Sequence, residues 1–385
     1  MNNISVITAK YGSLDQYQKC PPFWTPTPGS GGQKLIDSLR QARIRVIGRS
    51  AGGHEIIAIE YGAREETGAT CANLASAVSA LVGNADPTVL YPASFYGNKR
   101  RSKPSLCLQG AIHGGELTGT VAALNLCQII ETGRDLRGRE WPMLAKLARD
   151  TRLTIIPWLN MDGVLRWPLP NGATAPRDLM SSCEMGMACD GTNYQYPAMK
   201  SIYPIPPETP AHMGSYFNDA GFNLQYDFCM PTRQPETLAW MNYYLDERPD
   251  AVLVMHGNAG TLIGPAESYL PEGFQHETSR LGGAVRQRLV REGIAIGRMS
   301  WAGLPGLGKP AMNQVNSIYH VCGALPLLCE LPCGDNLAPY TLDQMLDIGL
   351  LVFEETLLYG HNDGFRPYEW REKVMAQLAK SATAK

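Results

Sequence analysis

A histidine and a glutamate three residues apart are the side chains of this sequence best suited to chemistry. His113 and Glu116 lie between an apolar run that predicts a strand and a run of near-helical periodicity that predicts a helix. An imidazole and a carboxylate that leave a strand end together can hold one face of a zinc ion, which accepts nitrogen and oxygen ligands. The alternative is an ordinary helix start, where the glutamate benefits only from the positive end of the helix dipole.

Three other predicted strands are followed or closed by polar side chains of the kind that metalloenzymes use. In open α/β sheets, ligands collect at the carboxyl ends of the strands, so we expect these side chains to meet at one edge of a sheet. Their repeated placement at strand ends favours the metal hypothesis over the ordinary helix start. The residues are His256 after 251–255, Glu330 at the end of 324–330, and Asn160 and Asp162 after 153–159.

These residues supply the parts of a metal-dependent hydrolase. His113, Glu116 and His256 form a set of two histidines and one glutamate, which would leave one position of a catalytic zinc for water. The ion lowers the pKa of that water toward about 7 and polarises a substrate carbonyl. Glu330 is the candidate general base and acid, because a nearby carboxylate must move the proton from the water to the leaving amine. An arginine from the loop region is expected to stabilise the oxyanion.

The elements that must position these residues alternate between strands and helices. The Gly52-Gly53 turn predicts an early hairpin, and the later strands lie too far apart in the sequence for hairpins. The alternation predicts one α/β domain over residues 34–385, an α/β/α sandwich around a mixed, largely parallel sheet. Residues 1–33 are rich in proline and glycine and are expected to wrap the surface as an N-terminal extension. The predicted strands are 44–48, 55–59, 105–109, 153–159, 251–255 and 324–330, the predicted helices are 35–41, 117–130, 236–245, 278–292 and 342–358, and the loop-rich stretches are 164–235 and 297–316.

Composition describes an ordinary globular protein and argues against two classes of partner. The 385 residues are 44% hydrophobic and 18% charged, with a formal net charge of -2 at pH 7. A nucleic-acid binder would depend on clustered lysine and arginine, and the one basic cluster, at 99–103, is expected only to cap a loop. No apolar run approaches the roughly 18 residues that span a bilayer, and no signal-peptide pattern is visible. We therefore expect a cytoplasmic protein without nucleic-acid or membrane partners, and the oligomeric state stays open.

Five motifs, in sequence order, resemble the zinc carboxypeptidases of the carboxypeptidase A type. The resemblance extends over residues 43–355 and implies a metallocarboxypeptidase-like catalytic domain, of the phosphorylase/hydrolase-like fold, with one zinc ion per chain and a peptide substrate. The motifs are the opening hairpin at 46–62, the ligand pair His113 and Glu116, an N-P-D-G turn at Asn160–Gly163 with Met161 in place of proline, the strand that ends in the third ligand His256, and the strand that ends in the catalytic glutamate Glu330.

The resemblance also implies an arginine, a little over a dozen residues beyond the turn, that polarises the substrate carbonyl. Arg177 stands at this distance and is our first candidate for the catalytic arginine. Arg166 is its competitor and a candidate for substrate binding. The alternative for Arg166 is an exposed loop arginine that is paired with a carboxylate.

One segment departs from the family. Its members carry the pattern G-x-N/D-x-N-R, whose arginine grips the terminal carboxylate of the substrate with two hydrogen bonds. The matching stretch here begins at Gly191 and places Asn193, Gln195 and Tyr196 at the substrate site, with glutamine and tyrosine where asparagine and arginine are expected. Either the substrate has no free carboxylate at that position or another loop supplies the cation. The candidates for that cation are Arg233, Arg298 and Lys309.

Aromatic and methionine side chains are concentrated near and within the first loop-rich stretch. They could line an apolar substrate pocket, or they could anchor the loops in the core. They include Trp158, Trp167, Met185, Met187, Tyr194, Tyr196, Tyr203, Tyr216 and Tyr226.

Together these patterns predict a zinc hydrolase that cleaves an amide bond in a peptide or peptide-like substrate. One alternative is an N-acyl amino acid deacylase of the aspartoacylase and desuccinylase type, which shares the zinc set but acts on an acylated amino acid. Another is a catalytically silent binding protein on the same scaffold. The silent protein is disfavoured because the three ligands and Glu330 are present together.

Overall fold

Two sheets organise the protein. The computed structural model describes residues 4–66, 101–171, 175–195, 204–206, 208–258, 262–263, 270, 272–294, 313–333 and 340–365. Its strands are β1 (Arg43–Arg49), β2 (Glu55–Tyr61), β3 (Ser105–Gln109), β4 (Arg152–Ile156), β5 (Gly186–Ala188), β6 (Pro210–Met213), β7 (Ala251–Asn258), β8 (Leu262–Ile263) and β9 (Leu325–Pro332). Within the described residues, seven strands form one sheet in the order β1-β2-β4-β3-β7-β9-β8, and β5 pairs with β6 separately.

The middle of the large sheet is parallel and buried on both faces. All five residues of β3 and all five of β4 are buried, which is typical of parallel strands that helices cover on both sides. β4, β3, β7 and β9 are neighbours in this order and run in one direction. The β1–β2 hairpin and the short β8 are antiparallel and lie at the two edges. The predicted mixed, largely parallel sheet is confirmed.

Helices surround this sheet. Within the part of the chain that the structure describes, no helix is long and apolar enough to cross a membrane. The α-helices are α1 (Ile4–Tyr11), α2 (Gln33–Ser38), α3 (Thr118–Thr132), α4 (Pro142–Arg149), α5 (Met161–Arg166), α6 (Arg177–Met185), α7 (Pro235–Glu247), α8 (Glu272–Arg291), α9 (Gln314–Cys322) and α10 (Leu342–Asp363).

Alternate side chains of the central strands face two different helix layers. Leu106 and Leu108 of β3 belong to a hydrophobic core shared with α3, α4, α8 and α10. Cys107, between them, belongs to a second core shared with α7 and α9. Because successive side chains of a strand point to opposite faces, one strand contributes to both cores. The predicted α/β/α arrangement is therefore confirmed.

The N-terminal extension packs on the domain through α1 and the turns that follow it. Ile7 and Trp24 are buried, and the indole of Trp24 donates to the carbonyl of Pro170 at 3.1 Å. The indole of Trp158 donates in turn to the carbonyl of Pro26 at 2.8 Å. Trp158 therefore anchors the extension, as the loop-anchoring alternative expects. The division of the chain into extension and catalytic domain stays a prediction.

The strands that carry the predicted site residues differ in length from the strands that the sequence predicts. β7 continues through His256 and β9 continues through Glu330, since the two strands remain paired over eight residues each. Both residues therefore lie inside paired strands. β4 is shorter than predicted because it ends before Pro157, which has no N–H for a strand ladder.

Regular structure also enters the stretches that the sequence indicates as loops. The first of these contains the end of α5, the whole of α6 and the β5–β6 pair. The helix α9 begins near the end of the second, where the Asn313 side chain accepts a hydrogen bond from the backbone N–H of Asn316. The sequence does not indicate this cap, because the glycine- and proline-rich pattern before it is typical of a loop. Residues 297–312 lie outside the described part of the chain.

Candidate metal centre

The turn that carries the first two predicted ligands is held in shape by close backbone contacts. After β3 the chain turns through Ala111, whose φ of 51° lies in the left-handed region. Gly114 lies against α5, and a Cβ at this position would be 2.2 Å from the carbonyl carbon of Gly163. Any larger residue would push the turn away. The helix α3 starts at Thr118, two residues after Glu116, so the strand, turn and helix follow one another as the sequence predicts.

His113, Glu116 and His256 meet in one buried cluster. Their ligand atoms all lie within 4.8 Å of one another. The Nδ1 atom of His113 is 3.0 Å from Oε1 of Glu116, and the Nδ1 atom of His256 is 3.1 Å from Oε2. The backbone N–H of Gly257 also donates to Oε2, at 3.0 Å. Residues on β7 and on the turn after β3 are therefore brought together as the metal hypothesis requires.

The surroundings of Glu116 favour its ionised form. Burial by itself would raise the pKa of this carboxyl, but the imidazoles of His113 and His256 and their hydrogen bonds outweigh burial. The pKa of Glu116 is therefore held well below its usual range. An ionised carboxylate is the form that binds a metal.

The donor set fits a zinc ion. Two imidazole nitrogens and one carboxylate oxygen are the protein ligands of a catalytic zinc site that keeps one position for water. The second ring nitrogen of His113, Nε2, lies 3.2 Å from Oδ1 of Asn223. With zinc bound, an N–H on Nε2 that is donated to Asn223 would leave the lone pair of Nδ1 for the ion, whereas without the ion Nδ1 lies within hydrogen-bond distance of Glu116. The Nε2 atom of His256 is buried and has no hydrogen-bond partner among the described residues.

Glu330 lies beside the cluster. It is the register partner of His256 on the neighbouring strand, and only 8% of its surface is exposed. Burial raises the pKa of Glu330 to about 7; the charge of Glu116 also raises this pKa, whereas His256 lowers it. A carboxyl group that titrates near neutral pH can both accept and return a proton.

Tyr216 is a contact of the centre that the sequence analysis did not assign. Its ring is stacked on the imidazole of His113, with 3.8 Å between the ring centroids and 2° between the planes. Its hydroxyl donates a hydrogen bond to Oε1 of Glu116. Burial of the phenol raises the pKa of Tyr216 well above its usual value, so the hydroxyl keeps its proton. In the sequence, Tyr216 is only one of several aromatic residues in an irregular stretch.

Asn223 is the second contact that was missed, although the sequence holds a signal for it. Gly191–Tyr196 and Gly221–Tyr226 both match G-x-N-x-Q-Y. The structure brings the second occurrence to the centre, because Oδ1 of Asn223 faces the His113 ring and also accepts from the backbone N–H of Gln225 at 3.0 Å. The pattern thus marks two candidate segments in the sequence, and the second lies at the centre.

The first occurrence lies against the N-terminal helix. Oδ1 of Asn193 accepts from Nζ of Lys10 at 3.0 Å, and its Nδ2 donates to the hydroxyl of Tyr11 at 2.9 Å. Gln195 is exposed, and Tyr196 lies outside the described residues. Within the described part of the chain, neither Asn193 nor Gln195 contacts the three ligands.

The two candidate arginines differ in their surroundings. Arg177 is the exposed first residue of α6. Arg166 is buried at the end of α5, where its guanidinium donates to Asp219 and to the carbonyl of Phe217. Burial lowers the pKa of Arg166, although nearby carboxylates oppose that change. Within the described contacts, neither guanidinium touches the three ligands.

The turn at Asn160 links the loops of the centre. Its side chain caps α5 by accepting from the backbone N–H of Gly163 at 3.0 Å. Its Nδ2 lies 3.3 Å from the carbonyl of Ile112 and 3.3 Å from that of Ser215. The turn therefore joins the loop that carries His113 to the loop that carries Tyr216.

Comparison with protein families identifies what this chain is similar to. A family profile described as zinc carboxypeptidase matches residues 35–269, which is more than half of the chain. This range contains His113, Glu116 and His256 and ends before Glu330. No curated protein sequence gives a significant match.

Solved structures share the fold at low sequence identity. A metallo-carboxypeptidase from Burkholderia cenocepacia has a TM-score of 0.51 at 16% identity, over 86% of this chain and 68% of that chain. A metallo-carboxypeptidase from Pseudomonas aeruginosa, in complex with (2-guanidinoethylmercapto)succinic acid, has a TM-score of 0.55 at 14% identity, over 89% and 71%. Thrombin activatable fibrinolysis inhibitor has a TM-score of 0.51 at 11% identity, over 91% and 82%.

Proposed function

The chain belongs to the zinc carboxypeptidase family, and from this premise we propose that it hydrolyses an amide bond in a peptide or peptide-like substrate, with Glu330 as general base and acid. The observation that carries the proposal is the position of Glu330 beside the three-ligand cluster, at the level of His256 on the adjacent strand. A carboxylate beside a metal site can add general acid and base catalysis to the chemistry of the ion. The burial of Glu330 and of all three ligands supports a shared role for them.

The chain's own residues divide the chemistry among them. His113, Glu116 and His256 would hold the zinc ion, which supplies a polarised carbonyl and a water of lowered pKa when it is bound. A carboxylate oxygen of Glu330 takes a proton from the attacking water and returns it to the amine nitrogen of the leaving group. The C–N bond breaks, the carboxyl and amine products form, and Glu330 ends in its original state.

We propose Arg177 as the donor that stabilises the developing oxyanion. Arg166 is less suited, because its guanidinium already donates to Asp219 and to the Phe217 carbonyl. Arg177 is exposed at the first residue of α6, a little over a dozen residues beyond the turn at Asn160, where the family resemblance expects the arginine. Donors of this kind act on charge that appears only in the transition state.

The substrate we propose has no free carboxylate where family members bind one. Both occurrences of the G-x-N-x-Q-Y pattern place glutamine and tyrosine at the asparagine and arginine positions. These side chains donate hydrogen bonds but carry no charge to pair with a carboxylate. Of the other candidate cations, Arg233 lies over the ring of Phe228 and donates to its carbonyl at 2.9 Å, while Arg298 and Lys309 lie outside the described residues.

The glutamine and tyrosine of this pattern, which carry no charge, also weigh against an N-acyl amino acid deacylase. The product amino acid of that reaction carries a free carboxylate next to the bond that is cleaved, and such a group favours a cationic partner. The silent binding protein is disfavoured because Glu330 accompanies all three ligands. The deacylase would make different products from the peptide hydrolase, the binding protein would make none, and both are outcomes of the test.

The test is a screen of the zinc-loaded protein in which every product is identified by mass spectrometry. The substrates are blocked dipeptides, amidated peptides, the same peptides with free carboxylates, and N-acyl amino acids. We expect cleavage of the blocked and amidated peptides, and loss of that cleavage in Glu330→Gln. Release of a free amino acid from N-acyl derivatives, with all peptides intact, would identify a deacylase. No turnover in any class would identify a binding protein.

A further inference from the structure

Tyr216 touches two of the three metal ligands at once. Its ring covers one face of the His113 imidazole, and its hydroxyl donates to Oε1 of Glu116. The other oxygen of Glu116, Oε2, is held by the backbone N–H of Gly257. Tyr216 therefore contacts both of the ligands that lie on the turn after β3.

We propose that Tyr216 is a positioning residue of the metal centre, which fixes the carboxylate of Glu116 and the ring plane of His113 and thereby sets the affinity for zinc. The inference depends on the three-ligand centre and is independent of which substrate is cleaved.

The loop around Tyr216 is held firmly enough for this role. The backbone N–H of Ser215 donates to the carbonyl of Cys183 at 2.9 Å, and that of Tyr216 donates to the carbonyl of Glu184 at 3.0 Å. The carbonyl of Ser215 accepts from the backbone N–H of Gly114 at 2.8 Å. The loop is thus tied to the end of α6 on one side and to the His113 turn on the other.

Arg166 holds the next residues of the same loop. Its guanidinium donates to the carbonyl of Phe217 and to the carboxylate of Asp219, and the ring of Phe217 is buried in a small apolar cluster against which Tyr216 packs. The buried charge of Arg166, which the sequence analysis considered for substrate contact, thus restrains the segment that presents Tyr216.

Contacts of this kind have measurable effects on metal binding. Groups that bond to metal ligands orient those ligands, and their loss typically costs about 10- to 100-fold in metal affinity. The hydroxyl of Tyr216 bonds a ligand directly, while its ring restricts the rotation of a second ligand. Removal of the hydroxyl alone and removal of the whole ring should therefore act in two separable steps.

The experiment compares Tyr216→Phe, Tyr216→Leu and the control Tyr194→Phe. Tyr194 packs against the same apolar cluster, so its variant loses a phenol hydroxyl in the same surroundings without losing a bond to a ligand. Zinc dissociation constants are measured by competition with a chromophoric chelator. The visible absorption of the Co²⁺-substituted proteins reports the ligand geometry, and thermal melting of the metal-free proteins reports the fold.

We expect Tyr216→Phe to raise the zinc dissociation constant about 10-fold and to change the Co²⁺ spectrum, with melting of the metal-free protein unchanged. Tyr216→Leu should raise the constant further, and Tyr194→Phe should leave it at the wild-type value. An unchanged constant and spectrum in Tyr216→Phe would overturn the proposal. So would a variant that loses catalytic activity alone, because the tyrosine would then act on the substrate instead of the ligands.

Discussion

His256 and Glu330 are register partners on the parallel strands β7 and β9. Side chains of register partners lie on the same face of a sheet, one strand spacing of about 4.8 Å apart. The predicted ligand His256 and the proposed proton carrier Glu330 are therefore set side by side by two paired strands of eight residues each. This rigid placement separates the two roles, and substitutions can remove one without the other.

Glu330→Gln should keep zinc and lose turnover. The amide has the size of the carboxylate but cannot take a proton from water, and general base catalysis typically contributes about 10²- to 10⁴-fold. We expect kcat to fall by that factor, while metal analysis still finds about one zinc per chain. Glu55→Gln, at an exposed ion pair with Arg49, is the control. Full activity of Glu330→Gln would remove Glu330 from the mechanism.

Replacing either histidine ligand should remove the metal. His113→Ala and His256→Ala each leave two of the three protein ligands, which is too few for a stable zinc site. Metal analysis after dialysis should find about one zinc in the wild type and little in either variant. His54→Ala, which changes an exposed histidine of the β1–β2 turn, should retain the ion. A full complement of zinc in His113→Ala would place the metal elsewhere.

Replacement of Arg177 and replacement of Arg166 should change two different quantities. Arg177→Ala is expected to lower kcat by about 10²- to 10³-fold, the usual cost of an oxyanion donor, with zinc affinity unchanged. Arg166→Ala is expected mainly to weaken zinc binding, since it frees the loop that carries Tyr216. Steady-state kinetics and chelator competition on both variants distinguish the two effects. A loss of kcat in Arg166→Ala at full zinc occupancy would show that the assignments are reversed.

Glu236 should make the protein less stable as the pH rises through neutrality. Burial raises the pKa of this carboxyl from 4.5 to about 7, so the folded protein holds its proton more tightly than the unfolded chain. The contribution to stability is complete below pH 4.5 and is lost as the pH rises through 7, in total about 3 kcal/mol. The free energy of unfolding, measured by urea at pH 5 and pH 8, should differ less in Glu236→Gln than in the wild type. An equal difference in both proteins would contradict this role.

The part of the site that the sequence predicts is the part built on strands and on one turn. His256 and Glu330 follow apolar runs, and a strand places its residues with a period of two, so a polar residue at the end of such a run stands out. The H-x-x-E pair stands out because its spacing fits one turn. The α/β class follows from the same alternation of elements.

The part that could not be predicted is built on loops. Tyr216 and Asn223 lie in a stretch without periodicity, and their positions depend on hydrogen bonds to Glu184, Gly114 and His113, which are distant in the sequence. The G-x-N-x-Q-Y pattern occurs twice, and the sequence does not indicate which of the two copies lies at the metal centre. Only the folded chain distinguishes them.

The order of strands in the large sheet has a consequence for biosynthesis. β9 lies between β7 and β8, both of which precede it in the chain, and it carries Glu330. During synthesis from the N-terminus, the residues that would hold zinc emerge first, and the proposed proton carrier arrives only when a later strand inserts between two earlier ones. Such long-range pairing is slow compared with local folding. A newly made molecule would thus be able to capture its metal before it is able to cut, so that hydrolysis starts only once the sheet is complete.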